Sequence, residues 1–315
     1  MTRLLITGGA GFIGSNLARL ALETPEITGV TVLDDLSTGS AAALDGLDID
    51  LQIGSVTDPD ALDRGLAGVD AVVHLAAMAS VPHSIDDPMR CHEVNATGTL
   101  LVLEACRRHG VRQVVAASSS AVYGANPAPV KSERDWVRPL SPYAVSKLAT
   151  EQYLLAYQTC YDLSTMAFRF FNVYGPGQPA GHVYAAVIPI FTEALLAGRP
   201  LPVNGDGSQT RDFIYVGTVC RILLSSVLRG MSHPEPVNVA LGAETTLLEL
   251  VAALEQAAGV QATVEFRQPR SGEIAQSLAD DRSLRSLFPD LQPVPLQTGL
   301  AETVAWFRER APQGV

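Results

Sequence analysis

Apolar positions in the first half of the chain fall into two alternating patterns. Short, nearly continuous apolar runs occur at residues 3–7, 30–34, 50–53, 71–75, 113–118 and 164–170. Longer stretches with helical spacing lie between them, at 12–22, 58–66, 94–109 and 143–161. Continuous apolar strands separated by amphipathic helices predict a parallel sheet covered on both faces. The fold class is therefore α/β, a doubly wound parallel sheet of Rossmann type. After Asn172 the rhythm loosens: Gly175-Pro176-Gly177, Pro179, Gly181 and Asn204-Gly205-Asp206-Gly207 are loop signals. Helices are placed there at 190–197 and 247–259. The expected division is a dinucleotide-binding domain at 1–171 and a smaller, loop-rich C-terminal substrate-binding domain at 172–315, with about 212–240 returning to the first.

Composition narrows the class. With 315 residues, 47% hydrophobic and 17% charged, the chain has enough apolar material for a full core. A net charge of −11 repels phosphate backbones, so no nucleic-acid partner is expected, while a local arginine pocket still permits a small anionic substrate. No apolar stretch reaches the ~18–20 residues of a membrane helix, and no signal-peptide pattern opens the chain. Cys91, Cys106, Cys160 and Cys220 are scattered, without CxxC or Cys/His spacing, which reads as reduced thiols in a cytoplasmic protein. No metal is expected. His83 and His182 lie on loops, and Trp136 and Trp306 read as packing residues.

Candidate chemistry begins at the first βα junction. Gly8-Gly9-Ala10-Gly11-Phe12-Ile13-Gly14 follows a strand and opens a helix. Glycines there allow a tight turn and close approach of backbone to a pyrophosphate, and the helix N-terminus adds free N–H groups. Asp34-Asp35 ends the second strand about 20 residues on, where a carboxylate accepts from a ribose 2′-OH and favours NAD over NADP. A glycine turn used for packing alone is the bland alternative.

A second constellation lies further along. Tyr143 and Lys147, spaced i, i+4, share one face of a helix start. A tyrosine acting as base near pH 7 must titrate about 3 units below its usual ~10, roughly 4 kcal/mol, which a nearby ammonium and a cationic nicotinamide would supply. Ser118-Ser119-Ser120 ends a central strand on the edge where α/β sheets bind ligands.

With these segments in place, the chain resembles the NAD-dependent epimerase/dehydratase family of extended short-chain dehydrogenases/reductases. The similarity runs from Thr7 to about Asp280, through TGGAGFIGS from Thr7, DDLSTG from Asp34, HLAA from His74 and VNATGT from Val94. It continues in SSSAVYG from Ser118, SPYAVSK from Ser141, RFFNVYGPGQ from Arg169 and RDFIYV from Arg211. The resemblance implies Tyr143 as base, Lys147 as its electrostatic partner and Ser119 as the catalytic serine. It places Gly8, Gly11, Phe12, Ile13, Gly14, Asp34, Asp35, Leu36, Ser37, Thr38, Gly39, Ser55, Val56, Leu75, Ala76, Ala77, Asn95, Tyr143, Lys147 and Phe171 against NAD. It places Ala79, Ser80, Ser119, Ser120, Tyr143, Asn172, Ala186, Val187, Val203, Asn204, Arg211, Arg270 and Ser277 against the sugar nucleotide.

The resemblance leaves several chemistries. Dehydratases carry Asp-Glu after the catalytic Ser/Thr, where this chain has Ser120 and Ala121, so 4-epimerisation of a UDP-hexose through a 4-keto intermediate is the expected reaction. A dehydratase, a UDP-glucuronate epimerase or decarboxylase, and a non-catalytic NAD-binding sensor are the alternatives. Arg211 and Arg270 match the family's phosphate-binding arginines, against a surface ion pair with Asp212 and loop solvation respectively. Ser277 stands at a gate position where small residues admit an N-acetyl group, and residues 76–84 and 203–207 resemble the UDP-N-acetylglucosamine 4-epimerase branch. Gly54-Ser55 lacks the Gly-Asp of many relatives, and Asn204 replaces an aromatic near uracil, leaving UDP against dTDP open. Related enzymes pair helices such as 94–109 and 143–161 into a four-helix bundle, so a homodimer is expected.

Overall fold

The computed structural model describes residues 1–180, 186–269 and 276–310. Two compact units form, one from Met1–Pro127, Glu133–Phe170 and Cys220–Val239, the other from Ala128–Ser132, Phe171–Val219 and Ala240–Val315.

The first unit is built on seven strands: β1 (Thr2–Thr7), β2 (Ile27–Asp34), β3 (Asp50–Ile53), β4 (Ala71–His74), β5 (Gln113–Ser119), β7 (Ser164–Phe170) and β12 (Val237–Val239). They lie in the order β12-β7-β5-β4-β1-β2-β3, and every pairing is parallel. The order reverses between β1 and β4, the switch point where such sheets open a crevice beyond their C-terminal edge. There Thr7 pairs with both Leu33 and His74. Helices α1 (Phe12–Leu22), α2 (Pro59–Gly65), α3 (Val81–Asp86), α4 (Pro88–His92), α5 (Gly98–His109) and α6 (Pro142–Tyr161) connect these strands. Leu5, Leu33, Val72 and Val114 of the strands pack on Leu62 of α2, Val102 and Leu103 of α5, and Leu154 of α6 in one core.

Local signals set the ends of these elements. Ser141 caps α6, its hydroxyl accepting from Ala144 N, with Pro142 in the first turn. The helix expected at 94–109 begins instead as a π-helical turn, Glu93–Thr97, before α5 starts at Gly98. Such one-turn insertions are frequent at functional sites. The edge strand β12 is only three residues long and was not anticipated.

The second unit holds β6 (Val130–Lys131), β8 (Asn172–Tyr174), β9 (Leu201–Asn204), β10 (Thr210–Arg211), β11 (Phe213–Tyr215), β13 (Thr245–Thr246), β14 (Val264–Arg267) and β15 (Gln276–Ala279). The sheet β13-β10-β15-β6 and the pairs β8/β11 and β9/β14 are formed from them. Its helices include α7 (Val187–Leu196), α9 (Leu247–Ala258), α10 (Arg282–Leu287) and α11 (Leu296–Arg310), while α8 (Val216–Leu228) runs through the boundary at Cys220. The half expected to be loop-rich is thus more helical than its glycines and prolines suggested: α8, α10 and α11 were missed. Thr246 and Glu249 form a reciprocal capping box at the start of α9. Trp136 is 55% exposed, so it is not the packing residue expected.

The glycine turn divides its labour. Gly8 has φ +72, and a Cβ there would stand 2.6 Å from Ala76 N. At Gly14 a Cβ would meet the Gly8 carbonyl oxygen at 2.3 Å, so α1 packs on the turn only without a side chain. We expect Gly14→Ala to destabilise the protein by about 1–3 kcal/mol through overpacking, read as a lower urea midpoint at unchanged slope.

Candidate functional site

In the first unit the residues singled out gather at the C-terminal ends of β1, β2, β4 and β5. Gly11 caps α1 with no side-chain hydrogen bond, and no acidic residue stands in the first turn. A Cβ at Gly11 would meet only the Gly8 carbonyl oxygen, at 3.3 Å. The fold therefore presses on this position less than on Gly14, where the same oxygen would lie at 2.3 Å. An uncapped helix N-terminus at a glycine fits the diphosphate of a dinucleotide.

Asp34 is buried at the end of β2, and its carboxylate joins two loops. Oδ2 accepts from Ala10 N and Oδ1 from Leu36 N, both at 2.9 Å. Burial raises its pKa, with the two backbone bonds opposing. Leu36 adopts φ +58, a left-handed conformation that costs a bulky residue roughly 1–2 kcal/mol and marks a segment held for a purpose. Asp35 faces outward, 3.9 Å from Arg90 and accepting from Ser37 N at 3.0 Å. Val56 is buried against Gly98, where a Cβ would meet it at 2.8 Å, and Ser55 bonds Thr57 at 2.8 Å.

Asn95 sits in the π-helical turn, 1% exposed. Its Oδ1 accepts from Met78 N at 2.7 Å and its Nδ2 donates to Ser146 Oγ at 2.9 Å, so its amide ties the 76–80 segment to α6. In that segment Ser80 caps α3, accepting from His83 N.

Tyr143, Lys147 and Ser119 come together as expected from the spacing. Tyr143 N donates to Ser84 Oγ at 3.1 Å, and the Ser119 hydroxyl faces its phenol. Burial raises the phenol's pKa, the Ser119 hydroxyl lowers it and Cys91 raises it, so without ligands it is protonated at neutral pH. Lys147 is buried and donates from Nζ to the Ala117 carbonyl at 2.9 Å. Burial pushes it down to about 8, while Cys91 and Glu151 pull the other way. The expected electrostatic partner is thus within one helical turn of the phenol, anchored on β5 rather than bonded to it. Ser120 and Ala121 form a 3₁₀ turn, and Ala121 N donates to Ser119 Oγ at 3.2 Å.

The second unit collects a separate set around β10 and β11. Asn172 Nδ2 donates to the Asp212 carbonyl at 2.9 Å, and Arg211 is paired in register with Ser277. Asp212 N donates to the Ser277 carbonyl at 3.0 Å. The Asp212 side chain is fully buried, its carboxylate accepting from Leu241 N at 3.0 Å and Gly242 N at 2.9 Å. Burial pushes it up to about 6, those backbone bonds opposing. It is turned inward, so the surface ion pair considered for Arg211 does not form with it. Val203 is buried opposite Phe266, and Asn204 pairs with Arg267. Phe171 is buried, Ala186 precedes α7 and Val187 opens it. Arg270 and His182 lie outside the described residues.

Sequence reasoning gave no role to His74, Glu151 and Arg169, and read Asp212 only as a surface partner of Arg211; all four are buried and hydrogen-bonded. Their signal was a charged or polar residue inside an apolar run, as in Met166-Ala167-Phe168-Arg169-Phe170. Among the described residues no group of three His, Cys, Asp or Glu is placed to hold a metal. No described helix is long and apolar enough to cross a membrane.

Comparison with known proteins adds a separate line. The model of the NAD dependent epimerase/dehydratase family matches residues 4–240. A UDP-glucose 4-epimerase of Mycolicibacterium smegmatis is 40% identical, covering 98% of this chain and 99% of that protein. A dTDP-glucose 4,6-dehydratase of Streptomyces niveus is 34% identical, covering 98% and 93%. The structure of a UDP-N-acetylglucosamine 4-epimerase from Methanobrevibacter ruminantium M1, in complex with UDP-N-acetylmuramic acid, superposes with a TM-score of 0.90 at 35% identity, covering 98% and 99%.

Buried Lys147 has a measurable consequence. A lysine at about 8 in the fold, against 10.5 when solvated, penalises the folded state below pH 8 by about 3 kcal/mol. That penalty fades as pH rises from 8 to 10.5, because there the unfolded chain alone keeps the proton. We expect Lys147→Met to stabilise the cofactor-free protein at pH 7 by about 1–2 kcal/mol, after loss of the Ala117 hydrogen bond. Urea titrations at pH 7 and pH 10 check this: the advantage of the variant should shrink at the higher pH.

Proposed function

Because the chain belongs to the NAD dependent epimerase/dehydratase family, we propose that it inverts C4 of a UDP-hexose through a 4-keto sugar, accepting substrates with an N-acetyl group at C2. The observation that carries the reading is the placement of Tyr143 and Lys147 one turn apart on α6 against the end of β5, where the Ala117 carbonyl accepts from Lys147 two residues before Ser119. NAD, held by the glycine turn and the Asp34 loop, would supply the acceptance and return of hydride at C4. Ser119 orients the C4 hydroxyl, and Tyr143 takes its proton and later gives it back. Burial moves the phenol further above its ordinary value, away from neutral pH. Base function therefore needs positive charge beside it, from Lys147 and from the nicotinamide ring when bound.

Epimerisation is favoured over dehydration because Ser120 and Ala121 offer no second acid/base pair beside Ser119. The glycine turn, Asp34 with its following loop, and Asn95 serve the cofactor. Asn172, Arg211 and Ser277, gathered on neighbouring strands of the second unit, serve the sugar diphosphate, with Arg211 giving bidentate phosphate contact. Ser277 leaves room for the N-acetyl group. We read the assembly as a homodimer through α5 and α6, which size-exclusion chromatography with light scattering tests.

Proton NMR of the purified protein with UDP-N-acetylglucosamine or UDP-glucose, without added NAD, should show the C4 epimer. No epimer from either, even with NAD supplied, overturns the assignment. Tyr143→Phe should lower turnover by about 10²–10⁴-fold with NAD still bound. Gly11→Ala should lower the urea midpoint less than Gly14→Ala does and weaken NAD binding, read by fluorescence titration.

A further inference from the structure

A third ionisable residue shares the face of α6 that carries Tyr143 and Lys147. Glu151 follows Lys147 by four positions, completing an i, i+4, i+8 stripe. It is 0% exposed. Arg169 of β7 grips its carboxylate bidentately, Nε donating to Oε1 at 2.9 Å and Nη2 to Oε2 at 2.8 Å. The Ser118 hydroxyl donates to Oε1 at 2.5 Å. The Arg169 guanidinium also lies 4.8 Å from the centre of the Tyr123 ring, and that phenol donates to Asn238 of β12 at 2.7 Å. Glu133 accepts from Asn238 N at 3.0 Å, which closes the network.

Stability alone does not account for such a pair. A buried ion pair recovers little more than its desolvation penalty, and apolar residues of the same size often serve as well. Its placement carries more information. The last three residues of β5 each face α6: the Ala117 carbonyl accepts from Lys147, Ser118 donates to Glu151, and the Ser119 hydroxyl faces the Tyr143 phenol. Charged and titratable groups face Lys147 from three elements: Tyr143 and Glu151 on its own helix, Cys91 on α4 and His74 on β4. His74 is pushed down to about 3 by burial and by Lys147, so it is neutral there.

We infer that Glu151 is a positioning residue for the Tyr143–Lys147 pair. Held by Arg169 and Ser118, it locks α6 to the end of β5 and keeps a fixed negative charge one turn from the Lys147 ammonium. The inference rests on the reading of Lys147 as the partner of the catalytic tyrosine.

The chain makes the test direct, since its only lysines are Lys131 and Lys147. Protein labelled with [6-¹³C]lysine gives two side-chain signals, which Lys131→Arg assigns. In Glu151→Gln the Lys147 midpoint should fall by about 1 pH unit, because a buried negative charge nearby has been removed. The alkaline limb of kcat should move down with it, with KM within about twofold. An unmoved Lys147 midpoint overturns the inference. If Glu151→Gln does not fold, the apolar replacement Glu151→Leu/Arg169→Met should show a smaller fall, because loss of the Arg169 charge partly offsets loss of the carboxylate, and a midpoint at or above wild type there overturns the inference equally. Should the wild-type protein turn over no sugar nucleotide, the functional reading fails by itself, and the lysine titration still decides the role of Glu151.

Discussion

Taking an ammonium group out of water is among the most unfavourable steps a fold can make, and the first unit makes it once, at Lys147. Of the 22 Lys and Arg residues only two are lysine, and the described arginines lie largely toward solvent, apart from Arg169 in its ion pair. An arginine could not replace Lys147 on the geometry seen. Its rigid fork presents five donors, where the one acceptor found for Lys147 is the Ala117 carbonyl. The compact ammonium needs a helix docked within a few tenths of an ångström on a strand end. That requirement explains why α6 is fixed so heavily at its start, by the Ser141 cap, Pro142, and the bond from Tyr143 N to Ser84.

The same helix is tied to the nucleotide end of the sheet through neutral polar contacts. Ala76 N donates to Thr7 Oγ1, which bonds His74 Nδ1 at 2.7 Å, and His74 Nε2 meets Thr99 Oγ1 at 3.1 Å. Thr99 in turn meets Thr150 of α6 at 3.1 Å. Burial keeps His74 uncharged across the physiological range, so this chain of contacts stays neutral beside the buried Lys147 ammonium.

How much of this could be read beforehand follows from distance along the chain. The glycine turn, the acidic residue ending β2, and the Tyr143/Lys147 spacing are local patterns, each confined to one turn or one element, and the structure places all of them at strand or helix ends as expected. Glu151 was invisible for the opposite reason. Its partners, Ser118 and Arg169, lie 33 and 18 residues away, and no spacing rule links a helix residue to a strand residue across a sheet. Asn95 was legible as a polar residue in a motif but not as a member of a π-helical turn. One added residue per turn leaves the apolar period nearly intact while rotating the side chains that follow it. The second half was underread because two-residue strands carry no period, and because its glycines and prolines drew attention from the apolar stripes of α8 and α11.

Asp212 shows where local reading misleads outright. Next to Arg211 in sequence, it suggests an ion pair; in the structure its carboxylate turns inward onto the N–H groups of Leu241 and Gly242. In β structure neighbouring side chains point to opposite faces, so adjacent opposite charges are poorly placed to pair. Satisfied by those backbone N–H groups, the buried carboxylate anchors the turn that follows β12, while Asp212 N donates to the Ser277 carbonyl and keeps β10 in register with β15.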